Sequence, residues 1–364
     1  MQQYKVQLKV SDLRSFQQNS RNIKGDNTYP ILAFSKLENN RLIKTNYKSY
    51  CQYKLFVDTG VEILIDDKIL NGFLDYTTKD ILSFEYIEEN LIQISDGMLK
   101  MSYPVLDINL YPKYPDFDTQ ESPGKFSREV ITLMNVAAQN TSELDNNHPL
   151  FFIHIKDGFI FSTDAFNMFS YNIGDKSLPE VILSPEQVAM INNLGDMDYF
   201  KYQNYNFFGN NFLTYGFVKP EVETPAFNSR FEFVSKDQWF EFEKFDLIKF
   251  CELTSKSATS KIPECILKRT KVQGLPGCSD GRMTLNLSDN DFHVGGDTNF
   301  YSSGHFELTD PIKFNHRITM DYMKPLPYSK MRFSPCVGAL SKGFLTLWTT
   351  EDEKFLGIFS TLVV

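Results

Sequence analysis

Cysteine is scarce and shows no pairing pattern: Cys51, Cys251, Cys265, Cys278 and Cys336 are odd in number and widely spaced, with no Cys-x-x-Cys pair among them. That argues against a zinc ribbon or a dithiol redox centre and reads as free buried thiols. Histidine is equally sparse, and His148, His154, His293, His305 and His316 stand in no metal-ligand spacing. No metal and no cofactor is expected. The sequence has no Gly-x-Ser-x-Gly elbow, no phosphate loop ending in Gly-Lys-Ser/Thr and no Gly-x-Gly-x-x-Gly; Gly274 to Gly277 and Gly295-Gly296 read as turns. The adjacent acids Asp66-Asp67 and Glu88-Glu89 read as a helix start and a solvated turn rather than as acid–base pairs, so no enzyme is expected. No apolar run approaches the ~18–20 residues of a membrane span, and the opening segment lacks the layout of a signal peptide, which together predict a cytoplasmic protein. The sequons at Asn140 and Asn286 match the glycosylation pattern by composition alone. A basic excess is missing too. Lys and Arg number 37 against 46 Asp and Glu, a net charge of −9 that repels nucleic acid unless the basic residues are segregated onto one face.

What remains is an ordinary globular composition, 42% hydrophobic and 23% charged, in which 33 Phe and 18 Tyr outweigh 2 Trp. A chain of 364 residues is long enough for two or three domains. From Asp12 to Asn22 the spacing of Leu13, Phe16 and Ile23 predicts a short amphipathic helix. Strands are predicted at Tyr29 to Phe34, Arg41 to Lys44 and Gln52 to Phe56. A second helix opens at Asp66-Asp67, and strands follow at Ile81 to Tyr86, Leu91 to Ser95 and Met98 to Tyr103. In the last of these Leu99, Met101 and Tyr103 alternate with Lys100 and Ser102, the period of a half-buried strand.

The same order recurs. Lys125 to Ala138 reads as a helix with Phe126, Val130, Leu133 and Ala137 inward, and a partner begins at Ser184-Pro185-Glu186-Gln187, where Ser184 and Gln187 can form a capping box. A third pass places helices near Lys244 to Ser255 and Asn315 to Leu326. The class is therefore α+β, three similar units of roughly 120 residues, each with two helices packed on antiparallel sheets. Boundaries fall in the Pro-rich stretches, giving 1–122, 123–230 and 231–364.

This order of elements resembles the bacterial beta sliding clamp, the ring that tethers a replicative polymerase to DNA. Thr28-Tyr29-Pro30-Ile31-Leu32 is similar to that family's Thr-Leu-Pro-Ile-Leu. Pro104-Val105-Leu106 through Tyr114-Pro115-Asp116-Phe117 sits where the family closes its first domain, and Ser162-Thr163-Asp164 resembles its Ala-Thr-Asp. Phe314-Asn315 followed by Met320 to Leu326 is similar to the pattern of its last helix. The chain departs at Ala165-Phe166-Asn167-Met168, where the family has Gly-His-Arg-Leu, and at its Phe359 to Val364 ending, where the family has Met-Pro-x-Arg-Leu. Eukaryotic-type clamps share the pattern but carry two units per chain.

The resemblance implies a DNA clamp fold that forms a ring as a head-to-tail homodimer, with helices lining the hole and duplex DNA held topologically without sequence reading. The DNA-facing residues it implies are Arg14, Arg21, Lys24, Lys68, Lys125, Arg128, Lys249, Lys256, Arg317 and Lys324. The Lys-free helix from Ser184 to Leu194 runs against that pattern. It further implies that the polymerase and clamp loader dock by short peptides in a cleft lined by Thr163, Ala165, Phe166, Met168, Phe359 and Leu362, reshaped in a diverged member. The competing reading is a clamp-fold or strand-rich interaction or structural protein that binds proteins or glycans and never encircles DNA.

Overall fold

The computed structural model describes residues 5–25, 28–88, 91–114, 124–142, 148–164 and 167–225, and in the last third 240–244, 264–270, 282–289, 292–298, 301–302, 312–315, 326, 328–336, 343–350, 352 and 354–362. The chain divides into two compact units, residues 1–128 with 189–219 and residues 129–188 with 220–364.

In the first unit, β1 (Lys5–Lys9) leads into α1 (Val10–Ser20). The hairpin-linked strands β2 (Phe34–Glu38), β3 (Arg41–Thr45) and β4 (Ser49–Lys54) come next. Then β5 (Glu62–Asp66) leads into α2 (Asp67–Tyr76), followed by β6 (Ile81–Glu88), β7 (Leu91–Ser95) and β8 (Lys100–Pro104). The order strand, helix, three strands thus occurs twice. It occurs twice more in β9 (Gly124–Phe126), α3 (Arg128–Ala138), β10 (Ile153–Lys156), β11 (Phe159–Thr163) and β12 (Asn167–Asn172), then β13 (Val181–Leu183), α4 (Pro185–Ile191), β14 (Met197–Tyr202), β15 (Tyr205–Gly209) and β16 (Leu213–Val218).

The last third holds β17 (Phe240–Glu243), β18 (Glu264–Thr270), β19 (Arg282–Asp289), β20 (Phe292–Thr298), β21 (Tyr301–Ser302), β22 (Ile312–Asn315), β23 (Lys330–Cys336), β24 (Gly343–Thr350) and β25 (Phe355–Leu362). The helices expected near Lys244 to Ser255 and Asn315 to Leu326 lie almost wholly outside the described residues. Of these spans, Lys244 is helical and Asn315 ends a strand.

All described strand pairs are antiparallel. The first unit holds a four-stranded sheet, β1-β6-β7-β8, and an eight-stranded one, β5-β2-β3-β4-β16-β15-β14-β9. The second holds β13-β10-β11-β12-β25-β24-β23-β17-β21 and β20-β19-β18-β22. Each wide sheet is two shorter runs joined edge to edge, at β4·β16 in one and at β12·β25 in the other.

Apolar spacing puts the helices on these sheets. Val10, Leu13 and Phe16 of α1 and Leu70, Phe73 and Leu74 of α2 are buried, each large side chain contributing about 2 kcal/mol. On α3, Val130, Ile131, Leu133, Met134, Val136 and Ala137 are buried. Asp66 caps α2, its carboxylate accepting from Ile69 N–H at 2.9 Å. The capping box at Ser184 forms as expected: Ser184 N–H donates to Gln187 Oε1 at 2.9 Å and Gln187 N–H to Ser184 Oγ at 3.2 Å. Gly216 lies opposite Phe207, whose ring occupies the space a side chain at 216 would need.

Four expectations are corrected. Gly295 and Gly296, read as a turn, lie within β20, where they pair with Asn286 and Leu285. Tyr29 to Phe34 is not a strand throughout, because Pro30 opens a 3-10 turn over Pro30–Ala33 and pairing starts at Phe34. Lys125 lies on β9, three residues before α3 begins, and not on the helix. The alternation in β8 buries only Tyr103, whose hydroxyl donates to Leu64 O at 3.2 Å; Leu99 beside the strand and Met101 within it remain 58% and 49% exposed.

Candidate nucleic-acid interface

Burial of one face of α1 and α2 leaves their polar residues outward, Ser20 and Asp67 excepted. Arg14 is exposed, yet its Nη2 donates to Leu74 O at 2.9 Å and to Thr77 O at 3.3 Å, binding α1 to the last carbonyls of α2. A cation is favourable at that helix terminus, so Arg14 has a structural role beside any contact with a ligand. Arg21 and Lys24 follow α1 and are exposed; Lys68 is exposed in the first turn of α2. Arg128 opens α3 with its side chain in solvent while its backbone N–H donates to Asp196 Oδ1 at 2.8 Å. Lys125 Nζ lies 4.0 Å from Asp198 Oδ1, an exposed pair worth little. Lys249, Lys256, Arg317 and Lys324 lie outside the described residues.

Beneath this face sits a charged cluster that composition and spacing did not reveal. Lys44 Nζ is 3.0 Å from Asp67 Oδ2, and Asp67 Oδ1 accepts from the Ser35 hydroxyl and from Gln17 Nε2. Both charged side chains are buried. Burial raises the Asp67 pKa, opposed by Lys44 and by the hydrogen bonds. The cluster joins α1, the start of α2 and strands β2 and β3, and thereby fixes the pose of the helix pair. Its one sequence signal was the Asp66-Asp67 doublet, read only as a helix start.

The expected peptide cleft is partly described. Thr163 and Met168 are both buried and pair with each other at the β11–β12 turn, and β12 pairs with β25 so that Asn167 faces Phe359 and Met168 faces Ile358. Register thus brings the backbones of Thr163, Met168 and Phe359 together. Leu362 ends the same strand opposite Gly343. Ala165 and Phe166 lie outside the described residues.

Among the described residues no group of three or more His, Cys, Asp or Glu side chains is placed to hold a metal ion. No described helix is long and apolar enough to cross a membrane.

No family model and no curated protein matches the sequence. Solved structures do. A DNA polymerase III beta subunit from Eubacterium rectale superposes with a TM-score of 0.79 at 13% identity, covering 99% of this chain and 100% of that one. The beta subunit from Pseudomonas aeruginosa gives 0.78 at 13% identity over 99% and 100%. The Caulobacter crescentus beta sliding clamp gives 0.78 at 15% identity over the full length of both.

The fold is that of the bacterial beta sliding clamp. The four occurrences of strand, helix and three strands in residues 5–218 are the repeat on which this fold is built, and β4·β16 and β12·β25 are the seams at which the shorter runs of strands join. The identity of 11–16% across such matches explains why the sequence resemblance is confined to short segments whose strength lies in their order.

Proposed function

We propose that this protein is a DNA sliding clamp: two copies close head to tail into a ring around duplex DNA and tether a polymerase through short peptides, without catalysing a reaction. The observation that carries the reading is the match of clamp structures over the whole chain. The division into domains at 1–122, 123–230 and 231–364 belongs to this proposal. So do the DNA-facing roles of the helix cations and of Lys125, and the peptide cleft at the β12·β25 seam. Cytoplasmic action at sites of replication follows from it.

Strand topology supports the ring. Six runs of three successive antiparallel strands end in β4, β8, β12, β16, β20 and β25; four of these final strands pair at the two seams, and among the described residues β8 and β20 have no partner on that side. A head-to-tail dimer pairs β8 of one copy with β20 of the other, repeating the seam between copies. The edge strand β8 suits that role. Met98, Leu99 and Met101 on and beside it are 78%, 58% and 49% exposed, an apolar surface that a second copy would cover.

The test is retention. The protein, placed on nicked circular DNA by clamp loading or spontaneous ring opening and washed in high salt, should stay on circles and be lost when they are linearised. A monomer that never associates with DNA would overturn the reading in favour of an interaction protein.

A further inference from the structure

A cavity of about 450 Å³ opens in the first unit where the start of α1 meets the segment leaving α2. Lys9, Val10, Ser11 and Arg14 form one wall, and Thr77, Thr78, Lys79, Asp80 and Ile81 form the other. Three cations face one carboxylate. Among the described residues neither Lys9 nor Lys79 makes an ion pair, and both are exposed. The third cation is held: the two bonds from Arg14 Nη2 to the carbonyls of Leu74 and Thr77 fix the guanidinium in the wall. The floor is rigid as well, because Val10 N–H donates to Asp80 O at 2.8 Å, Lys79 N–H to Thr77 Oγ1 at 3.2 Å, and Thr77 Oγ1 to Asp96 Oδ2 at 3.1 Å.

We propose that this cavity binds a phosphate group, with Lys9 and Lys79 as the mobile cations, Arg14 as the fixed one and the hydroxyls of Ser11 and Thr78 as donors. Three cations against the single carboxylate of Asp80 leave an excess of positive charge that repels itself, and an anion carrying several acceptor oxygens relieves that repulsion while accepting several charge-assisted hydrogen bonds at once. Inorganic phosphate, carrying about −1.5 to −2 at neutral pH, satisfies three cations better than a single carboxylate can, whereas a phosphodiester carries one charge and is held through its two unesterified oxygens. The space exceeds one phosphate and stands open to solvent, so a phosphodiester strand can pass through it with one phosphate seated. The strand as source rests on the sliding-clamp reading; the phosphate site itself does not.

The experiment uses the full-length protein labelled with ¹⁵N, with the amide signals of Lys9 to Arg14 and Thr77 to Ile81 followed during titration with inorganic phosphate, with a short blunt duplex, and with a poly-glutamate peptide. Wild type is compared with Lys9→Ala/Lys79→Ala, and Lys201→Ala/Lys219→Ala serves as a control on exposed lysines elsewhere in the same unit. Saturable shifts with phosphate and duplex, lost in the first variant and kept in the control, are the expected result. The same variant should reduce the slope of log affinity for duplex against log salt by about 1–2. A response to phosphate with none to duplex keeps the site and moves its source to a free phosphate. No response to phosphate, or a response to poly-glutamate alone, overturns the proposal whatever the retention assay gives. Loss of retention on circles with the phosphate response intact counts against the clamp reading alone.

Discussion

At the scale of single residues, the most consequential side chains are two buried titratable groups. Replacing Lys44 with Met leaves the Asp67 carboxylate buried without its cation, which should cost about 3 kcal/mol of unfolding free energy in a urea titration. Asp67 already holds its proton more tightly than an exposed carboxylate does, because of burial. The contribution of such a group is full below the unfolded pKa of about 3.9 and is lost as pH rises through the folded value. In Lys44→Met the folded value climbs further, so stability should fall more steeply between pH 4 and 7 than in wild type. His154 has the opposite sign. It is fully buried, with Nε2 2.8 Å from Pro149 O and Nδ1 3.2 Å from Thr224 Oγ1. The carbonyl can only accept, so Nε2 carries the proton and Nδ1 takes the Thr224 hydroxyl. Burial lowers its pKa, and the stability this neutral ring contributes is present above about pH 6.5 and lost on acidification through the folded value. His154→Gln should flatten the part of the stability profile below pH 6.5. A flat wild-type profile there would contradict the assignment.

At the scale of elements, legibility followed the source of the signal. The helix starting at Pro185 was readable to the residue because Ser184 and Gln187 satisfy each other's backbone locally, and Ser184→Ala should cost about 1 kcal/mol in the same titration. Strands whose two faces differ were readable from alternation. The β8 strand was readable as a strand but misjudged in burial, since alternation reports a pleat and not what covers its faces; Leu99 and Met101 have the spacing of a core and the exposure of a contact surface. The segment at Pro30 was misread because an apolar run of that length is compatible with either a strand or a tight turn. Of the candidate site, the exposure of Arg14, Lys68 and Arg128 was legible from the spacing of apolar residues on their helices, whereas Arg21 and Lys24 lie beyond the end of α1. The bonds of Arg14 to Leu74 and Thr77 were not, being contacts across about sixty residues that no local pattern encodes. Because β8 is an edge, Met101→Lys should leave the monomer folded while abolishing dimers, as read by light scattering and circular dichroism. Dimers that persist would remove β8 from the interface.

At the scale of the molecule, a surface of net charge −9 and a clamp reading are compatible only if attraction to DNA is local and retention is topological. Binding to linear duplex should therefore be weak and fall steeply with salt, while retention on closed circles should tolerate salt. Equal salt sensitivity on circles and linear fragments would mean that no encirclement occurs. No sequence pattern could supply the proposed assembly, since pairing of one chain's edge with another's is a relation between molecules; the proposal rests instead on four final strands that pair within the chain and on β8 and β20, which among the described residues do not.

The β4·β16 ladder holds a further consequence. Its two strands belong to one chain, so when it parts they remain tethered and meet again at an effective concentration that dilution does not change. A β8·β20 contact between copies has no tether, and its lifetime is set by its own dissociation rate and its recovery by protein concentration. A ring built from chemically similar seams thus has weak points fixed by covalent connectivity, and dilution should open it between protomers while every internal seam stays shut.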